Sequence, residues 1–314
     1  MTDDDPDIEV VPAVRAAKRL FAEQLLANPD VHGVGVGRRR RVGEKTDEYA
    51  IVVHVEHKLP SDRVAPHRLV PEELSYPGPD GRPVVVRVDV QERARPHPEA
   101  GPAPVASALR SKVRPVPGGV SAGRSGTLGG WVWDTVTGQV VALSNRHIFG
   151  SVPGTSVAQP SRDDGGRPAT DRIAAVVRAG NLDAAIAAPL DPHAVSLSIV
   201  GGGQAVFAIT DAAIDMRVQK TGRTTGLTRG VVDLIDYDSD HHGSHSDLWI
   251  DGDGTDFSGG GDSGALYLES GNPGADASDA RRVVGLHWGG AGNDGVGHHI
   301  RAVFADLGLA PLND

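Results

Sequence analysis

Apolar residues recur at three- and four-residue steps from Pro12 to Ala27, where Val14, Ala17, Phe21 and Leu25 fall on one face. That period predicts an amphipathic helix, with Pro12 in its first turn and Pro29 beyond its end. Three valine-rich runs follow, VHGVGVG from Val31, YAIVVHVEHK from Tyr49 and VVVRVDV from Val84. β-Branched residues pack well on a pleated surface, so these read as strands. Together they predict a small α+β domain over residues 1–93, for which a regulatory or recruiting role is expected. The next run, ARPHPEAGPAPVA from Ala94, is dense in proline and has no period; residues 94–112 read as a linker. From residue 113 to 314 the texture changes to short apolar runs broken by Gly, Asp, Asn and Pro, among them TLGGWVW, QVVALSN, AAIAAPL, AVFAIT, GVVDLIDY, LWIDG, GALYL and RVVGLHWGG. This predicts an all-β domain, barrel or sandwich. The closing HIRAVFADLGL places Ile300, Val303, Phe304 and Leu307 on one helical face. No repeat of fixed period is present.

Composition narrows the picture. The 314 residues favour two domains, and 41 Gly with 22 Pro suit many turns between short strands. With no cysteine the chain must be held by packing alone. The net charge of −10 argues against a general nucleic-acid binder. The start, MTDDDPDIEV, lacks the basic and apolar regions of a signal peptide, and no run of about 20 apolar residues occurs, so no membrane partner and a cytoplasmic location are expected. GVGVG at Gly33–Gly37 fails the dinucleotide fingerprint because Arg38 stands at the last position. Arg38–Arg41 reads as a solvated loop. His241, His242 and His245 with Asp251–Asp256 suggest a loose metal site, but the EF-hand template needs Gly where Asp256 stands, and an acidic surface loop without metal is the expectation.

The strongest chemical signal is SGGGDSGALYL, Ser258 to Leu268. A serine nucleophile needs its hydroxyl on a sharp turn and backbone N–H groups aimed at the developing oxyanion. The glycines permit that turn, and the N–H groups of Gly261 and Ser263 would form the oxyanion hole; the plain alternative is a glycine-rich β-turn. His147 follows an apolar strand in VALSNRHIFG, and Asp183 begins another in NLDAAIAAP. An aspartate that accepts from the imidazole Nδ1–H fixes its tautomer. Asp171 and Asp191 are rivals, but only Asp183 leads directly into an interior run.

At this point a family resemblance enters. From about Arg114 to Leu309 the chain resembles the trypsin superfamily, with GTLGGWVW, LSNRHIFG, NLDAAIA, KTGRTTGLTRGVV, GGGDSGALYL and VVGLHWGG in that family's order. The resemblance implies a chymotrypsin-like double β-barrel with a C-terminal helix and serine endopeptidase activity. His147, Asp183 and Ser263 would be the catalytic triad, protein or peptide the substrate, and no cofactor is needed. The GVGVG and AIVVHV stretches look like the leading domain of some intracellular bacterial and plant relatives. The resemblance also implies that Leu286–Gly289 lines the S1 pocket and pairs with the substrate backbone. HWGG, from His287 through Trp288 and Gly289, looks like the glutamyl endopeptidases, and Ser258 would add a hydroxyl, which suggests acidic P1 residues. The plain alternative is that His287 packs under the nucleophile loop. Phe257, not an aspartate, lies six residues before Ser263, against a trypsin-like preference for Arg or Lys; Asp256 is one position away. The competing functions are a catalytically idle binding or scaffold protein on a protease fold, and an esterase, disfavoured because Ser263 is late and followed by Gly264.

Overall fold

Twenty residues, Asp7–Leu26, form helix α1, which begins a turn earlier than the apolar period predicts and so encloses Pro12. Pro12, the sixth residue of the helix, can donate no backbone hydrogen bond to the preceding turn. Val14, Ala17 and Leu25 of the predicted face are buried and Phe21 is half-buried. They lie against the hairpin β1 (Val31–Arg41) and β2 (Glu44–Val55), followed by β3 (Glu73–Pro77) and β4 (Pro83–Glu92). β1 and β2 are antiparallel with Val34 opposite Val53, β2 and β4 run parallel, and β3 closes antiparallel on β4. The computed structural model describes residues 7–98, 108–201, 206, 208–240, 243–271 and 282–312.

The chain divides into two compact units, one of residues 1–96 with 233–249 and the other of residues 97–232 with 250–314. Within the first, residues 234–239 pair antiparallel with β1, Gly37 opposite Leu234. Lys18 of α1 makes a buried ion pair with Asp238, and Arg15 meets Asp236 at 2.5 Å. Arg38–Arg41 is not a solvated loop. It is the end of β1, with Arg38 over the Tyr49 ring and Arg39, Arg40 and Arg41 paired to Glu48, Asp233 and Glu48.

The second unit is mainly β, as expected. Its strands are β5 (His97–Pro98), β6 (Val116–Gly118), β7 (Ser121–Ala122), β8 (Gly126–Thr127), β9 (Gly130–Asp134) and β10 (Gln139–Ser144), then the short helix α2 (Arg146–Phe149). There follow β11 (Ser156–Ala158), β12 (Arg172–Ala179), β13 (Ala185–Pro189), β14 (Val195–Ile199), β15 (Ala208–Ile209), β16 (Arg217–Gly222), β17 (Gly226–Ser239) and β18 (Gly243–Asp251), of which residues 233–249 belong to the first unit. Last come β19 (Leu266–Glu269), β20 (Arg282–Ala291), β21 (Asp294–His299), helix α3 (Ile300–Leu307) and β22 (Leu309–Ala310). One six-stranded sheet runs β11-β12-β13-β10-β9-β22, and a second runs through β16, β19, β20 and β21. Val132, Leu143 and Ile186 of the first sheet share a core with Leu266, Val283 and Leu286 of the second. The four predicted residues of α3 are all buried in that core. Each contributes about 1.5–3 kcal/mol by leaving water.

Candidate active site

The register of β10 against β13 brings the first two candidates together. Ser144 lies opposite Ala185, so the chain leaving β10 and the chain entering β13 meet at one end of the sheet. There α2 presents His147, whose Nδ1 lies 2.5 Å from Asp183 Oδ2 while its backbone N–H donates to Asp183 Oδ1 at 3.0 Å. Asn145 Nδ2 donates to the Asp183 carbonyl at 2.7 Å, and the Asp183 N–H donates to Nε2 of buried His298 at 3.3 Å. Burial pushes the Asp183 carboxyl up, but the hydrogen bonds and charge of His147 outweigh it and hold it below its ordinary range. The rivals lie elsewhere: Asp171 pairs with Lys112, and Asp191 caps a turn at His193.

Ser263 sits on the turn before β19. Its carbonyl accepts from Thr127 N–H at 2.9 Å, and the Thr127 carbonyl accepts the Ser144 hydroxyl at 2.7 Å, which ties the turn to the strand end that leads into His147. The Ser263 hydroxyl donates to the Trp288 carbonyl at 3.0 Å, and Ser263 is fully buried. His147 Nε2 is buried without a partner among the described residues. No hydrogen bond joins Ser263 to His147 in this arrangement. The N–H groups of Gly261 and Ser263 donate to no acceptor among the described residues.

The turn is held by a carboxylate that sequence reasoning passed over. Asp262 accepts from Lys220 Nζ at 2.8 Å, with both side chains fully buried, and from Thr225 Oγ1, Thr224 N–H, Thr225 N–H and Gly259 N–H. Burial raises the Asp262 carboxyl, and Lys220 and Thr225 bring it below its usual value. Beneath the turn, buried Arg223 grips Asp164 with both Nε and Nη2 at 2.8 and 2.9 Å. A Cβ at Gly261 would lie 2.0 Å from Arg223 Nη1, and its φ of +101° is strained for any L side chain, so the position demands glycine. The available signal was a lysine and an arginine set into KTGRTTG, where a strand otherwise turns inward.

The predicted pocket residues gather around β20. Ser258 is buried and donates to the Asp294 carbonyl at 3.1 Å. His287 is fully buried, with its Nδ1 2.6 Å from the Tyr267 hydroxyl. Trp288 is buried with its ring 6.2 Å from that of His298, and Gly289 pairs with Pro98 of β5. Phe257 is buried against Tyr267, whereas Asp256 is exposed to solvent. His241 and His242 lie outside the described residues. Among the described residues no cluster of three or more His, Asp or Glu side chains is placed to hold a metal ion, and no helix is long and apolar enough to cross a membrane.

The fold packs a six-stranded sheet and a second sheet around one core with a C-terminal helix, and its candidate residues stand at the ends of β10 and β13 and on the turn before β19. No protein-family model and no curated protein matches the chain. Among solved structures it is similar to Nocardiopsis protease (NAPase), at 20% identity over 63% of this chain and 99% of that one, TM-score 0.45. It is similar to Thermobifida fusca protease A at 18% identity over 63% and 99%, TM-score 0.45. A third is a glutamic-acid-specific serine protease that uses a histidine triad in substrate binding, at 17% identity over 63% and 100%, TM-score 0.45.

Proposed function

We propose that this chain is a serine endopeptidase acting on protein or peptide substrates through Ser263, His147 and Asp183. The observation that carries the reading is the His147–Asp183 pair. A carboxylate held ionised against Nδ1 leaves the buried Nε2 as a base with no other partner among the described residues, at the strand end tied to the glycine turn of Ser263. In this reading the Ser263 hydroxyl leaves the Trp288 carbonyl and donates to that nitrogen when substrate binds. In the reaction Oγ attacks the scissile carbonyl carbon as its proton passes to Nε2, and Asp183 stabilises the imidazolium. The oxyanion is received by the N–H groups of Gly261 and Ser263. His147 then gives the proton to the leaving amine as the C–N bond breaks, and water hydrolyses the Ser263 ester by the same path reversed. No cofactor takes part.

Ser263→Ala is expected to abolish hydrolysis of a peptide library, by roughly 10⁴- to 10⁶-fold, and to leave the thermal unfolding transition in place. A fluorophosphonate probe is expected to label wild type at Ser263 and not the variant. Full activity in Ser263→Ala, or no activity and no labelling in wild type under any condition, refutes the assignment; the second result favours an idle scaffold.

A further inference from the structure

One edge of β20 is occupied along its length by a succession of neighbours. β19 covers Val283 to Leu286, and the turn after Ser263 follows, with Gly264 N–H donating to the His287 carbonyl and His287 N–H to the Ala265 carbonyl. At Trp288 the register against β21 shifts, and the Trp288 carbonyl accepts the Ser263 hydroxyl. Beyond that, β21 keeps the other edge, and the edge on the Ser263 side would be open backbone at two glycines. It is filled by β5, which pairs antiparallel with His97 opposite Gly290 and Pro98 opposite Gly289. The approach is close enough that a Cβ on Gly289 would lie 2.4 Å from the His97 carbonyl oxygen.

An unpaired strand edge at a glycine pair beside a buried serine is a site for an extended peptide added as a further strand. β5 takes that place, and its chain direction leads from Gly290 toward Trp288 and Ser263. Pro96 and Pro98 fix φ near −65°, so the arm is held extended before it docks and less conformational entropy is lost in docking. In the same structure Ser263 is fully buried, hydrogen-bonded to Trp288 and without a bond to His147. We propose that the His97–Pro98 arm is an intramolecular inhibitor, which occupies the peptide-binding edge of β20 until it is displaced. This rests on the endopeptidase reading above.

The test uses the full chain with His97→Gly and Pro98→Gly together, which keeps the backbone but removes the preformed extended arm. Three quantities are compared with wild type: fluorophosphonate labelling of Ser263, cleavage of a peptide library, and hydrogen exchange of residues 286–290. The expected result is faster exchange in that segment, with labelling and cleavage both raised about tenfold or more. Labelling and cleavage equal to wild type overturn the proposal, whether or not exchange changes. If exchange rises while neither chain is labelled or cleaves any peptide, the endopeptidase reading has failed, and β5 is a cover on a strand edge with nothing to inhibit.

Discussion

Replacing Lys220 by methionine keeps most of the aliphatic stem and removes the charge opposite Asp262. Both side chains are fully buried at 2.8 Å, so Asp262 would be left as a carboxylate in the interior. Breaking one side of such a pair costs about 3–5 kcal/mol. Four other donors, the N–H groups of Thr224, Thr225 and Gly259 and the Thr225 hydroxyl, remain on the carboxylate and favour the lower end, about 3 kcal/mol. For a domain of this size that corresponds to a fall in Tm of roughly 6–12 °C. In wild type the Asp262 carboxyl is held below its unfolded value. Its contribution to stability is therefore present above the unfolded pKa and is lost as pH falls through the folded one. Without the Lys220 charge, burial is opposed less and the folded pKa of Asp262 lies higher than in wild type. The folded variant then takes up a proton as pH falls, and its deficit against wild type shrinks toward acid. Urea unfolding at pH 8, 6.5 and 5, with Asp262→Asn and the double variant to complete the cycle, measures this. A deficit below about 1 kcal/mol at pH 8, or one that does not shrink as pH falls, refutes the argument. Peptide cleavage should fall with stability, because the same carboxylate pins the turn that carries Gly261 and Ser263.

Two further outcomes are expected. His54 is fully buried with neither ring nitrogen bonded among the described residues, its ring 4.6 Å from that of Trp249, 5.4 Å from Tyr237 and 5.9 Å from His32. Burial, then the charges of His32, Arg93 and Arg40, depress its pKa well below 6.5, so stability is full above that pH and is lost as pH falls, by up to about 1.4 kcal/mol per unit. His54→Leu should remove that part of the acid slope in urea titrations, and an unchanged slope would show that His54 does not titrate with unfolding. At P1, matched peptides bearing Glu or Asp should be cut faster than those bearing Ala, Leu or Arg, with the preference lost in His287→Ala. Equal rates would leave His287 as a packing residue joined to Tyr267.

The sequence by itself determined the local elements. The three- and four-residue period of α1 and α3, the valine runs of β1, β2 and β4, and the glycine turn around Ser263 depend on neighbours a few residues apart, so each is legible in a short window. The order of His147, Asp183 and Ser263 was readable for the same reason, since each stands at the boundary of an apolar run. Tertiary structure alone decided what depends on distant pairing. The register of Ser144 against Ala185 puts His147 on Asp183 rather than leaving Asp171 or Asp191 as its partner. Lys220 looks like any strand lysine until the turn 42 residues later folds over it. Arg38–Arg41 reads as a solvated run until Glu48 and Asp233 are brought to it. His97–Pro98 shows the same limit most directly. A proline-rich segment without period has no local reason to be ordered, and its strand exists because Gly289 and Gly290, about 190 residues away, offer an open backbone edge beside Ser263.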